Sequence, residues 1–177
     1  VSCLIGSITR PHFDGVLDTH IGTDAPLWFF IAEGFIDWLC MAMALLFAGL
    51  ILRGVSFRII DVFGTQALAR WPMLVSAAAG ILPANRRVTE ELMKMVQNPN
   101  QFPALPPLDT AVFVAAMIII IVMSVWMVAM MYRGYTVSCN LKGAKAIVSF
   151  IVCLIIAEII SKIPIFVMLH FLSGDNT

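Results

Sequence analysis

Two pairs of ionisable residues lie inside long apolar stretches of this sequence, where charged side chains are costly. Glu33 and Asp37 are four residues apart, and so are Glu158 and Lys162. Residues four apart share one face of a helix, so the first pair brings two carboxyl groups together and the second has the favourable order for an ion pair. Neighbouring carboxyl groups can share a proton. The four residues are therefore our candidates for an intramembrane polar network.

Each pair has a functional and a structural interpretation. Glu158 and Lys162 can form a proton or ion relay, or they can neutralise each other and fix helix packing. Glu33 and Asp37 can line a cation path, perform acid–base chemistry, accept Lys162, or lie at a partly hydrated helix end. We favour the structural interpretation of both pairs. Because a lone charge inside a span costs roughly 2.5 to 3.5 kcal/mol on insertion scales, we expect Glu158 and Lys162 to face protein and not lipid.

Other residue types give no sign of enzymatic or metal chemistry. The sequence contains no GxSxG, GxxxxGK[ST], GxGxxG or HExxH motif, and its four cysteines form no CxxC pair. The three histidines have no helical metal-ligand spacing; they are His12, His20 and His170. We therefore predict a protein that is not an enzyme, with no catalytic residues, no metal site and no cofactor.

The composition is that of a chain whose main solvent is lipid. Of 177 residues, 60% are hydrophobic and 12% are charged, and the mean hydropathy is +0.95. The apolar residues form long runs, which is typical of membrane spans. The formal net charge is zero, which provides no basic field for nucleic acid. Membrane lipid is therefore a predicted partner and nucleic acid is not.

Four apolar segments are long enough to be membrane spans. A span needs about 20 residues to cross a hydrocarbon core of roughly 30 Å. The predicted spans are 27–52, 67–85, 110–132 and 146–172. We expect the second span to bend at Pro72, which lacks a backbone donor, and residues 55–68 to lie along the membrane interface. The prediction is an all-α, polytopic transmembrane helical bundle in which successive spans are antiparallel neighbours.

The distribution of basic residues predicts the orientation of these spans. The links 53–70 and 133–145 carry six Lys and Arg residues, whereas the opposite side carries four. Cytoplasmic loops are enriched in Lys and Arg. We therefore place both links in the cytoplasm.

Several short segments resemble the YIP domain family, the Ypt/Rab-interacting integral membrane proteins and their bacterial relatives. The segments are 52–58 (LRGVSFR), 63–67 (FGTQA), Pro72 and 143–146 (GAKA). The pattern of spans and short links is also similar to that family over residues 27–172. These features define a family pattern without a catalytic motif, so they transfer no site residues.

The resemblance implies a five-span domain with a cytoplasmic amino end. Residues 1–26 would then be the remnant of a first span followed by a polar extramembrane loop, residues 27–172 the four visible spans, and 173–177 a polar tail. It also implies an integral, multi-pass protein of a bacterial cell membrane. A small-GTPase partner is not implied, because the Asp-Leu-Tyr-Gly-Pro region associated with it is not in this sequence.

Two functional hypotheses follow. The first is a non-enzymatic membrane protein of the YIP type that organises a membrane or a membrane complex through a membrane-protein partner or self-association. The second is a small transporter or channel component that uses the intramembrane Glu, Asp and Lys residues. The first predicts a dry Glu158–Lys162 pair, and the second predicts a hydrated path past Glu33, Asp37 and Glu158.

Overall fold

The computed structural model describes residues 11–12, 20–21, 27–52, 58–97 and 105–174. These residues form one short antiparallel strand pair, β1 (Pro11–His12) with β2 (His20–Ile21), and six helices. The helices are α1 (Leu27–Leu52), α2 (Ile59–Leu68), α3 (Pro72–Gly80), α4 (Pro83–Gln97), α5 (Pro107–Ser138) and α6 (Gly143–Gly174). Our predictions for residues 1–10, 13–19, 22–26, 53–57 and 175–177 lie outside this part of the chain.

Three of these helices contain segments that are long and apolar enough to cross a membrane. The segments are Ile31–Leu52, Pro107–Ser138 and Gly143–Met168. The bent pair Ile59–Gly80 and Pro83–Met95 meets the same test when its two parts are taken together. The described residues therefore contain three candidate spans, or four if the bent pair is one span. This architecture is compatible with an integral membrane protein, and the five-span count stays a prediction.

Residues 59–68 of the predicted link 53–70 form α2, which packs against α5. Gln66 Nε2 donates a hydrogen bond to the Met131 carbonyl at 3.1 Å, and Ser138 Oγ donates to the Asp61 carbonyl at 3.2 Å. The contacts proceed from residue 61 to residue 66 along α2 but from residue 138 back to residue 131 along α5. Helix α2 is therefore antiparallel to α5. Val62 and Gln66 are buried, so this face of α2 covers protein, while Ile59, Ile60 and Leu68 are exposed.

Pro72 interrupts the helical run as expected, but the main bend lies further along. At residues 69–71 the backbone hydrogen bonds join residues three apart instead of four. Arg70 N donates to Ala67 O, and Trp71 N donates to Leu68 O. Pro72 then begins α3, consistent with its missing donor. The 73° bend instead separates Ile59–Gly80 from Pro83–Met95. The prediction of a bend at Pro72 is therefore wrong in position.

The turn between α5 and α6 is shorter than the predicted link 133–145. Helix α5 continues to Ser138, and α6 begins at Gly143. Asn140 and Gly143 have φ values of 49° and 68°, in the left-handed region that allows this tight reversal. Across the turn, Tyr135 Oη and Ser149 Oγ are hydrogen bonded at 3.0 Å.

The packing order of the helices differs from their order along the chain. Helix α1 packs mainly against α6 and also against α2, while α5 packs against α2, α3 and α4. Helices α5 and α6 make only limited contact, which includes the Tyr135 and Phe150 rings near the turn. The expectation that successive spans are neighbours fails for most of this last pair, because the buried face of α6 packs on α1.

Small residues allow α3 to approach α5 closely. Ser76, Ala77 and Ala79 are buried on α3. Trp71 and Trp126 meet edge to face at the other end of this contact, with ring centroids 5.2 Å apart. Larger apolar side chains, including Met41, Leu45 and Met131, fill the centre between α1, α2 and α5. This packing fixes the position of the residues between α2 and α3 relative to α1.

Candidate functional site

Helix α1 carries both of its acidic residues on its buried face. Glu33 and Asp37 are each 1% exposed. Their spacing of four residues puts them on the same side of α1, and the neighbouring positions Phe29 and Met41 on that side are also buried. Both carboxyl groups are therefore enclosed by protein, and their hydration stays a prediction.

Helix α6 runs antiparallel to α1 and faces these carboxyl groups. Cys153 Sγ donates to the Ala44 carbonyl at 3.3 Å, and eight residues later Ser161 lies close enough to Asp37 for the two side chains to interact. Ser161 is fully buried. Its Oγ also donates to the Glu158 carbonyl of its own helix at 3.3 Å.

The predicted pair of Glu158 and Lys162 is present on α6. Lys162 Nζ lies 3.6 Å from Glu158 Oε1, one helical turn away. Their side chains are 24% and 44% exposed, in the order Glu158 and Lys162. They therefore lie at the edge of the bundle, and the expectation that they face protein is met only in part.

Arg70 is the site residue that the sequence analysis missed. It lies between α2 and α3, where its positive charge acts on Asp37 and on Cys40 of α1. By sequence alone it belongs to the basic residues of the predicted link 53–70. The signal that could have identified it is a single arginine between the apolar pairs Leu68–Ala69 and Trp71–Pro72, at a helix break that turns its side chain inward.

The polar cluster lies within the apolar length of its helices. Asp37 is six residues beyond Ile31, the start of the candidate span in α1, which corresponds to about 9 Å of helix. Ser161 is seven residues before Met168, the end of the span in α6, or about 10 Å. A hydrocarbon core of roughly 30 Å centred on these candidate spans would enclose both residues.

The chemistry available here is that of proton and charge exchange. The cluster combines carboxyl groups on α1 and α6 with the cations of Arg70 and Lys162 and with the Ser161 hydroxyl. Within the described residues, no group of three His, Cys, Asp or Glu side chains is placed to hold a metal ion. The structure thus brings Glu33, Asp37 and Glu158 into one electrostatic cluster, with Lys162 attached through Glu158.

A second polar region lies at the opposite end of α2. An open cavity of about 590 Å³ is lined there by residues of α2, α5 and the following turn, including Asp61, Thr65, Ser138 and Asn140. Thr65 Oγ1 and Ser138 Oγ are 3.3 Å apart in its wall. These hydroxyl groups tie α2 to the last turn of α5.

Comparisons of this chain with protein-family models, with curated proteins and with solved structures found no match.

Proposed function

We propose that this chain is a non-enzymatic, multi-pass membrane protein of the YIP type that organises a membrane complex by self-association. The bundle is a fixed scaffold, and α6 presents its outer face to α6 of a second copy. The contact is centred on Glu158 and Lys162. The role is one of assembly in the bilayer, without chemical turnover.

The observation that supports this proposal is the partial exposure of an ion pair in the middle of an apolar helix. Lys162 and Glu158 lie 3.6 Å apart with 44% and 24% of their side chains exposed. The surrounding surface of α6 is apolar, with exposed Ile155, Ile159 and Phe166. Charges in contact with lipid are costly, so a second protein surface over this pair stabilises the membrane-inserted protein.

A second copy fits this surface because the pair is self-complementary. Copies inserted in the same orientation are related by a two-fold axis along the membrane normal, so their α6 helices run parallel. Each Lys162 then lies one helical turn from Glu158 of the other copy, within reach of its long side chain. Interhelical polar contacts of this kind are worth on the order of 1 kcal/mol each in membranes.

Site-directed disulfide cross-linking tests the proposed contact. Ile155→Cys and Ile160→Cys are introduced separately into a version without the four native cysteines, and membranes are treated with a membrane-permeant oxidant. Ile155 lies on the same side of α6 as Lys162, two turns before it, whereas Ile160 points about 140° away from Ile155. The two side chains are similarly exposed, at 55% and 49%, so they form a matched pair.

We expect a covalent dimer from Ile155→Cys and much less from Ile160→Cys. Adding Glu158→Gln and Lys162→Met to the Ile155→Cys version should reduce the dimer yield several-fold. Equal yields from both cysteines, or a yield that the charge substitutions leave unchanged, would refute the proposed contact.

A small transporter or channel component is the second candidate, favoured by the buried carboxyl groups of α1. Glu33 and Asp37 lie inside the bundle beside Glu158, an arrangement typical of ion and proton pathways. In proteoliposomes containing a pH-sensitive dye, this candidate predicts proton flux that Asp37→Asn abolishes and that Asp109→Asn leaves intact. Equal flux in protein-free liposomes would eliminate it.

A further inference from the structure

Helix α4 has an apolar side and a charged side. Its apolar side is formed by residues that recur every three or four positions, namely Ala84, Val88, Leu92 and Met95. The charged residues Arg86, Glu90 and Lys94 recur every four positions on the opposite side. Arg86 and Glu90 are ion paired there at 2.8 Å, with 81% and 55% of their side chains exposed. This separation is typical of a helix that lies between an apolar phase and water.

Within the described residues, protein covers only the first half of this apolar side. Ala84 and Val88 are 5% and 2% exposed, whereas Leu92 and Met95 are 38% and 45% exposed. Helix α4 packs against α5, and its second half extends the same apolar side beyond that contact.

Two side-chain contacts fix the direction of α4. Asn85 Nδ2 donates to the Ala79 carbonyl of α3 at 2.8 Å, and Arg87 donates to both carboxyl oxygens of Asp109 on α5. The axis of α4 is turned by 73° from that of the preceding α2–α3 segment. Helices α2 and α3 both pack against α5, and α2 is antiparallel to it. A helix at 73° to such a membrane-crossing pair runs nearly parallel to the membrane plane.

The lengths of the neighbouring helices place α4 at the membrane boundary. Helix α5 has 32 residues, or about 48 Å of helix, which exceeds a hydrocarbon core of roughly 30 Å. When the core is centred on α5, Asp109 lies outside it among the lipid headgroups, and the ion pair holds Arg87 at that level. The segment Ile59–Gly80 provides about 33 Å of helix. It can therefore cross the core by itself, without α4.

We propose that α4 is a membrane-surface helix whose apolar side, at Leu92 and Met95, inserts between the lipid headgroups and acyl chains. Its charged side faces water. The partner is a lipid surface of no particular charge, because α4 carries three basic and two acidic residues and Arg87 is already paired with Asp109. An apolar helix face of this kind is buried by about 5 to 10 Å. The inference rests on the proposed membrane insertion of the bundle but not on its self-association.

The depth of spin labels in lipid nanodiscs tests this proposal on the full chain. Single cysteines replace Met95, Gln97 or Ile121 in a version without the four native cysteines, and each is labelled with a nitroxide. Met95 and Gln97 occupy the same turn of α4 but point about 160° apart, so they form a matched pair. Ile121, near the middle of α5 and 62% exposed, is the reference for the hydrocarbon core. Collision rates with oxygen and with a water-soluble nickel complex report the depth of each label.

We expect the label at Met95 to collide several-fold less often with nickel than the label at Gln97, and more often with oxygen. Its depth should lie between those of Gln97 and Ile121. Nanodiscs of phosphatidylcholine alone and of phosphatidylcholine mixed with phosphatidylglycerol should give the same depth, because the apolar side makes the contact.

A charge on the apolar side should withdraw this part of α4 from the lipid. Adding Leu92→Asp to the Met95→Cys version should raise the nickel collision rate several-fold. The control is Met93→Asp, because Met93 is 52% exposed and lies next to Arg86 on the charged side. That change should leave the rate at Met95 unaltered.

Four results would overturn the proposal. Equal nickel collision rates at Met95 and Gln97 would place α4 in water, and a core depth for both labels would make α4 part of a crossing. A label at Met95 that neither oxygen nor nickel reaches would mean that protein covers this side. Equal effects of Leu92→Asp and Met93→Asp would exclude insertion by the apolar side. Nickel access at Ile121 would also refute the proposed membrane insertion, whereas an aqueous Met95 with a shielded Ile121 would refute the surface helix alone.

Discussion

Arg70, at the joint between α2 and α3, lies close enough to Asp37 of α1 for its positive charge to act on that carboxyl group. The two residues are 33 positions apart in the sequence, and they meet because α1 packs against α2. The contact joins the two halves of the bundle, since α1 also packs on α6 while α2 packs on α5.

Removing the charge of Arg70 should destabilise the protein in a pH-dependent way. Arg70→Met leaves the Asp37 carboxylate buried without this cation, which we expect to cost on the order of 3 kcal/mol at alkaline pH. The loss should be smaller at acidic pH, because Asp37 can then be neutralised by a proton. Melting temperatures in detergent measure both effects. In Arg70→Met/Asp37→Asn the two losses should not add, and strict additivity at alkaline pH would contradict the coupling.

The close approach of α2 and α5 at Gly134 should not tolerate a methyl group. A Cβ added at Gly134 would lie 3.0 Å from Thr65 Cβ and 3.1 Å from Thr65 Oγ1. Gly134→Ala should therefore push the helices apart and lower the free energy of unfolding by roughly 1 to 3 kcal/mol. The control is Gly64→Ala on α2, where an added Cβ meets nothing within 4 Å. That change should stabilise the helix by roughly 0.5 to 1 kcal/mol. A lower melting temperature in Gly64→Ala than in Gly134→Ala would contradict this account.

The ion pair of Arg87 and Asp109 should hold α4 against the start of α5. Arg87 Nε and Nη2 donate to the two oxygens of Asp109 at 2.8 Å and 2.7 Å. In Arg87→Gln we expect faster hydrogen–deuterium exchange in α4, measured by mass spectrometry, with little change in α5. Arg86→Gln is the control, because Arg86 pairs with Glu90 inside α4. Equal exchange in the two variants would show that other contacts hold α4.

A membrane crossing by α5 should place Gln97, the last residue of α4, and Asn140, just after α5, on opposite sides of the membrane. In a cysteine-free version, single cysteines at Gln97 and Asn140 are treated in intact cells with an impermeant thiol reagent. With the predicted cytoplasmic turn at Asn140, Gln97→Cys should be labelled and Asn140→Cys should be labelled only after lysis. Labelling of both in intact cells would rule out a crossing between them, and the reverse pattern would invert the predicted orientation.

Several features of the fold and site could be predicted from the sequence because they depend on local patterns. Apolar runs predicted the helices that became α1, α5 and α6, since each run alone is long enough to span a bilayer. The spacing of Glu158 and Lys162 predicted their pairing, because residues four apart always meet on a helix.

Other features depend on contacts between distant segments, and only the tertiary structure determined them. The sequence placed Arg70 in a link and α2 at the interface, because a segment with interleaved Arg58, Asp61 and Gln66 is polar enough for either environment. Packing on α5 buried Gln66 and positioned Arg70 beside α1. The helix that Asp37 contacts could not be predicted for the same reason. Helical periodicity predicts the face of its own helix on which a side chain lies, but not the other helix that this face contacts. By itself, the sequence determined long apolar helices with acidic and basic residues inside them, and the tertiary structure decided that Asp37 of α1 is buried and feels the charge of Arg70.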